Sequence, residues 1–277
     1  MNSVLDGILT LAKAALRSRP PGRSLRRQKG GTLVVMGNGP SLRQCIDAHG
    51  NLLEAMDTAA VNFAANTPEF RRLRPRHYVL ADPHFFRREG AADPNVARLW
   101  ENLRKADWQM TLHVPTRQRL PETALLPENV AVQRFNMTPG DGADPLSRAL
   151  YRAALAMPRP RNVLIPALME GIRDGYSEIY IVGADHSWPH TLYVDGRNRV
   201  VTVQPHFYKD NPAELDRIAS AYENVRIHDI LGSMATAFRS YHAIARHART
   251  LGVDVYNATP DSLIDAFGRK GLEDLKI

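Results

Sequence analysis

The chain has 277 residues, 44% of them hydrophobic and 23% charged, with a formal net charge of +7. This is globular composition, long enough for one large domain or two small ones; no apolar run approaches the ~18 residues of a spanning helix, and one cysteine, Cys45, excludes an internal disulfide and suits a reducing compartment. The charge is concentrated: residues 1–30 hold seven basic residues against Asp6, a net of +6, which leaves the body near +1 and argues against a nucleic-acid-binding domain.

In chain order, Val4, Leu5, Ile8, Leu9, Leu11, Ala12, Ala15 and Leu16 recur at helical spacing, followed by an Arg-rich segment with Pro20-Pro21. A signal peptide carries its positive charge before the apolar stretch, and here it comes after. Residues 1–29 therefore read either as an amphipathic helix on an anionic membrane face or as a helix packed on its own domain or a partner. Thr32–Leu42, TLVVMGNGPSL, is the densest signal: a β-branched apolar run, a Gly37-Asn38-Gly39 turn, and Pro40-Ser41 opening a helix. Free N–H groups and the helix dipole make such a start a place for a phosphate. It is neither GxGxxG nor a Walker A loop, since no Lys-Ser/Thr follows. Cys45, just inside that helix, reads as a packing residue rather than a nucleophile.

Further strands are predicted at 58–62, 77–81, 109–114, 129–134, 178–183 and 253–256, and helices at 41–55, 94–105, 145–157, 162–174, 232–251 and 260–268. Their alternation predicts an α/β, Rossmann-like fold with a mainly parallel sheet. The organisation expected is a basic N-terminal arm, 1–30, and one domain, 31–277. Residues 184–213 are too long for a bare link and read as an irregular lid. Ligands of open parallel sheets sit beyond the carboxyl ends of strands, and polar residues collect there: Asn38, Asn62, Asp82, His84, Asp185 and His186.

These residues carry a resemblance. Gly37-Asn38-Gly39-Pro40-Ser41-Leu42, Val61-Asn62, Leu80-Ala81-Asp82-Pro83-His84-Phe85-Phe86, Gly175–Asp185 and Pro260-Asp261-Ser262-Leu263 resemble, in that order, the motifs of bacterial sialyltransferases that use CMP-activated sugars. Asp82 replaces that family's asparagine. The same core is similar to a wider group with archaeal 6-hydroxymethylpterin pyrophosphokinase-like proteins and flagellin-glycosylation factors.

The resemblance implies an inverting, metal-independent glycosyltransferase that needs no cofactor. It would move a CMP-activated acidic sugar, sialic acid or a related nonulosonate, onto a cell-surface glycan or glycolipid. Gly37, Asn38, Gly39, Pro40, Ser41, Asn62, Asp82, Asp185 and His186 would bind the donor. His206, in Gln204-Pro205-His206-Phe207-Tyr208, would be the general base, with Tyr193 and Tyr208 steadying the leaving phosphate. A lipid-linked acceptor would explain the basic N-terminus and place a cytoplasmic protein on the inner membrane face; a homo-oligomer is compatible with this reading. Two alternatives stay open. One is a pyrophosphokinase whose Mg²⁺ would sit on Asp82, Asp141, Asp144 and Asp185; the other is a non-catalytic nucleotide-sugar-binding protein. Asp82, His84, Asp185, His186, His190 and His206 are ligand types for a metal, yet no pair stands at HExxH spacing.

Overall fold

The computed structural model describes residues 3–20, 30–87, 92–122, 124–140, 144–201 and 225–275. The first strand, β1 (Thr32–Met36), explains the architecture. Leu33 and Val35 point into one core, Val34 and Met36 into another, and all four are buried. A strand apolar on both faces belongs in a parallel sheet covered on both sides.

Among the described residues that sheet has eight strands. Besides β1 they include β2 (Asp57–Val61), β3 (His77–Val79), β4 (Met110–Pro115), β5 (Val130–Phe135) and β6 (Glu178–Val182). A hairpin of β7 (Tyr193–Val194) and β8 (Val200–Val201) lies outside it, and β9 (Asp254–Asn257) and β10 (Gly268–Arg269) complete it. The order is β10-β9-β6-β1-β2-β3-β4-β5, with every neighbouring pair parallel. The chain runs outward from β1 to β5, then returns to the other side of β1 as β6. The order therefore reverses between β1 and β6, which is the topological switch point where such sheets bind ligands. The fold is α/β and Rossmann-like, as the alternation predicts.

Among the described residues the helices are α1 (Ser3–Arg17), α2 (Ser41–Ala55), α3 (Pro68–Leu73), α4 (Pro94–Arg104), α5 (Asp144–Arg152), α6 (Leu164–Asp174) and α7 (Ile227–Arg249). Leu42 and Ile46 of α2, Phe70 of α3 and Leu99 of α4 close the core on one face. Ala14 of α1, Leu150 of α5, Leu168 of α6 and Ile244 of α7 close the other.

Two elements depart from the sequence reading, and a third takes one of the alternatives it left open. The helix predicted over 260–268 does not form. Asp261 takes a left-handed φ of 52°, Thr259 and Ser262 send their hydroxyls to the carbonyls of Ile181 and Ala184, and Arg269 binds the carbonyls of Thr259, Ser262 and Ile264. Side chains that satisfy backbone groups locally compete with a helix. The helix predicted to reach 157 stops at Arg152, where Ala154 turns left-handed at φ 51°. The third, α1, takes the docked alternative: Ser18 donates to the Leu155 carbonyl at 2.5 Å, Asn136 brackets the backbone of Arg19, and Arg117 holds the carbonyls of Leu16 and Arg17.

Candidate functional site

At the switch point two glycine turns lie against each other. Gly37 N–H donates to the Val182 carbonyl at 2.8 Å, and Gly39 N–H to the Gly183 carbonyl at 2.8 Å. A Cβ on Gly37 would stand 2.4 Å from the Gly183 oxygen, and one on Gly39 would stand 1.9 Å from Asp185 Oδ2. The glycines thus let two strand ends approach each other, the close-contact use of a residue without a side chain.

Asp185 occupies the position the sequence assigns to a phosphate. Its Oδ1 accepts from Ser41 N–H at 3.3 Å and its Oδ2 from the Ser41 hydroxyl at 2.8 Å. The Leu42 and Arg43 N–H groups return to the carbonyls of Gly39 and Pro40, and Pro40 has no N–H to offer. A helix start favours an anion, and here the chain supplies its own carboxylate. Of the turn expected to cradle a phosphate, the Gly37, Gly39 and Ser41 N–H groups are thus engaged within the protein in this structure.

Asn38 and Asn62 stand at the ends of adjacent strands. Asn38 Nδ2 donates to the Val61 carbonyl at 3.1 Å, while its Oδ1 is buried with no hydrogen-bond partner. Asn62 holds a left-handed φ of 50°, a conformation asparagine tolerates, and its Oδ1 is buried and unpartnered too. Asp82 turns back on its own backbone, accepting from His84 N–H at 2.8 Å, and His84 pairs with Asp93 at 3.0 Å.

His186 is buried beneath Trp188, with ring centroids 4.1 Å apart, and its Nε2 lies 2.7 Å from the Tyr241 hydroxyl, which donates to Asn162 Oδ1. Burial pushes its imidazole down to about 3. His186 is therefore a neutral anchor at the root of the lid, held by Asn162 and Tyr241, two residues that sequence reasoning missed. Apart from the Tyr241 stripe on α7, nothing in the sequence marked them. Tyr193 stands exposed on the β7–β8 hairpin. His206 and Tyr208 lie outside the described residues.

Among the described residues, no three members of the ligand sets considered for a metal come together. Asp185 caps Ser41, Asp82 caps its own turn, and Asp141 and His206 lie outside the described residues. Among the described residues, the one group bringing three ligating atoms within 4.8 Å of one another is His77, His113 and Asp174. Asn38 also lines a crevice of about 20 Å³ under α2 and α3, room for one water. A cavity of about 610 Å³ is lined by Asn136, Arg152, Glu170 and His247, and one of about 460 Å³ by Lys13, Arg148, Arg159, Arg239 and Arg246. Neither includes a residue of the switch point.

No protein-family model matches the chain, and no curated protein matches it by sequence. Among solved structures, it is similar to the MAf glycosyltransferase from Magnetospirillum magneticum AMB-1, at 12% identity and a TM-score of 0.53. The match covers 99% of this chain and 39% of that one, so the chain spans well under half of that protein's length, and the likeness is one of fold.

Proposed function

We propose that the chain is a glycosyltransferase that takes a CMP-activated acidic sugar at the β1–β6 switch point and passes it to a glycan or glycolipid. The observation that carries this reading is the pair of buried, unpartnered amide oxygens on Asn38 and Asn62. An unmet buried acceptor costs about 1–3 kcal/mol, and a ligand offering N–H and O–H donors relieves it. The exocyclic amine of cytosine and the hydroxyls of a ribose are such donors. The sialyltransferase-like motifs and the fold shared with a glycosyltransferase support the same chemistry.

With Asp185 closing the start of α2, the leaving phosphate belongs nearer the lid, where Tyr193 and Tyr208 can donate to it. His206, on the same segment, is the general base for the acceptor hydroxyl. The five basic residues around the 460 Å³ cavity suit an acidic glycan or the phosphate of a lipid-linked acceptor. The outward apolar face of α1 suits work on a membrane's inner face.

A thermal-shift screen of the full chain with CMP, CDP, ATP and GTP, with and without Mg²⁺, tests the donor. CMP without metal is expected to stabilise the wild type, by about 2.7 kcal/mol at a hundredfold excess over Kd, and Asn38→Ala is expected to lose that shift. A shift with Mg²⁺-ATP alone would overturn the proposal in favour of pyrophosphate transfer. CMP binding with no CMP release from CMP-sialic acid, over a panel of glycan acceptors, would leave a nucleotide-sugar-binding protein instead.

A further inference from the structure

On the side of the sheet facing α6, polar residues replace aliphatic ones across four strands. Asp57 of β2, His77 of β3, Thr111 and His113 of β4, and Gln133 of β5 share one face by register. Glu170 and Asp174 of α6 meet them, and all but Asp57 are buried. A buried polar cluster this large in a sheet core calls for a physical account.

The outer partners fix the tautomers. Tyr176 donates its hydroxyl to Asp57 at 2.8 Å, so at the 2.8 Å contact with His77 Nε2 it accepts, and Nε2 carries the proton. His113 Nδ1 faces the Glu170 carboxylate at 3.3 Å, an acceptor that requires Nδ1 to be the protonated nitrogen. With both rings neutral, the two remaining nitrogens, His77 Nδ1 and His113 Nε2, bear lone pairs, and they lie 3.0 Å apart. Asp174 Oδ2 completes the triangle, 3.6 Å from the first and 3.8 Å from the second.

Two lone pairs at that distance, with a carboxylate oxygen beside them, repel unless a proton or a metal cation sits among them. A point equidistant from the three atoms lies about 2.0 Å from each by triangle geometry, which matches Zn–N and Zn–O bond lengths of about 2.0–2.2 Å. Each ligand is also held from behind: His77 by Tyr176, His113 by Glu170, and Asp174 by Gln133 Nε2 at 2.9 Å. Metal-bound histidines and carboxylates are oriented by such outer partners. Thr111, paired with His77 in register, adds a buried hydroxyl oxygen with no partner.

We propose that His77 Nδ1, His113 Nε2 and Asp174 Oδ2 bind one divalent metal ion of the zinc class, which ties β3, β4 and α6 together. The site lies toward the amino ends of β2, β3 and β6, away from the switch point, so it is structural and independent of the transfer reaction proposed above. It was invisible in the sequence because its ligands stand 36 and 61 residues apart, and only strand register and helix placement join them.

The test is metal content of the full chain, purified without a metal-binding tag from zinc-supplemented cells and again after unfolding and refolding with Zn²⁺. About one equivalent of zinc per chain is expected. Refolding with Co²⁺ instead should give the visible bands of a low-coordinate cobalt site with nitrogen and oxygen ligands. Asp174→Asn should cut bound metal at least tenfold, and Gln133→Leu, which removes the outer hydrogen bond to Asp174, should weaken zinc about tenfold or more. Asn38→Ala should keep the full equivalent. Less than a tenth of an equivalent in the wild type under both conditions, with only the spectrum of hydrated Co²⁺, would overturn the proposal and leave a proton shared between the two rings.

Discussion

Gly39 and Gly232 show why a residue type means little without its surroundings. Gly39 has no room for a methyl group, because Asp185 Oδ2 and the Gly183 carbonyl would lie 1.9 Å and 2.8 Å from it. Gly232, inside α7, has nothing within 4 Å. Gly39→Ala is expected to lower stability by about 2–4 kcal/mol, whereas Gly232→Ala should raise it by about 0.5–1 kcal/mol through helix propensity; urea unfolding of both variants checks the contrast, and equal effects would refute the close approach. His186 supplies a second prediction. Its folded pKa, about 3, lies below the ordinary 6.5 because burial disfavours the charged ring. The unfolded chain therefore binds the proton first as pH falls. The stabilising effect is complete above pH 6.5 and is lost as pH drops toward 3, by about 2 kcal/mol at pH 5. His186→Gln should flatten that part of the stability profile, and a variant that falls in parallel with the wild type would contradict the assignment.

At the scale of elements, α1 is turned inside out relative to an ordinary surface helix. Gly7, Thr10 and Ala14 face the protein, while Ile8, Leu9, Leu11 and Leu16 face outward, with Leu16 79% exposed. An exposed apolar patch of this kind marks a surface that meets a membrane or a partner. The two readings of the N-terminus that the sequence left open, packed on the domain or laid on a membrane, are thus not exclusive: one face of α1 docks, and the proposed lipid contact falls to the exposed other face. Because Ile8 and Leu16 are mostly exposed, Ile8→Lys with Leu16→Glu should leave the melting temperature within about 1 °C. The same pair should reduce sedimentation with phosphatidylglycerol vesicles at least tenfold, and unchanged vesicle binding would remove the membrane from the proposal. The Tyr241 hydroxyl of α7 joins His186 to Asn162. Tyr241→Phe leaves those buried polar atoms short of a partner and should cost about 1–3 kcal/mol, measured by chemical denaturation.

At the scale of the whole molecule, one sheet carries both cores, and its β1 contributes Leu33 and Val35 to one and Val34 and Met36 to the other. Loss of either helical layer exposes a face of the same strands, so the layers should unfold together. Emission from Trp100 and Trp108, which pack with one core, should change at the same denaturant midpoint as far-UV circular dichroism, and separated midpoints would mean that the layers are independent. Much of this architecture was legible beforehand. Strand and helix periodicities arise from local backbone geometry, and a parallel sheet buried on both faces leaves continuous apolar runs such as Leu33–Met36. The placement of polar residues beyond the ends of β1, β2 and β6 was legible for the same reason. What each polar residue touches was not. Whether Ser41 meets a phosphate or Asp185, whether His186 meets a donor or Tyr241, and whether His77 meets His113 depends on the order of strands and the register between them. These are non-local choices, settled by which faces bury together, and they leave no period in the chain. The sequence by itself determined most of the elements, the sheet class and the edge where the polar groups gather. Only the tertiary structure decided that Asp185 closes the helix start, that the two asparagine oxygens remain unmet, and that two histidines and an aspartate far apart in the chain converge on one point in the core.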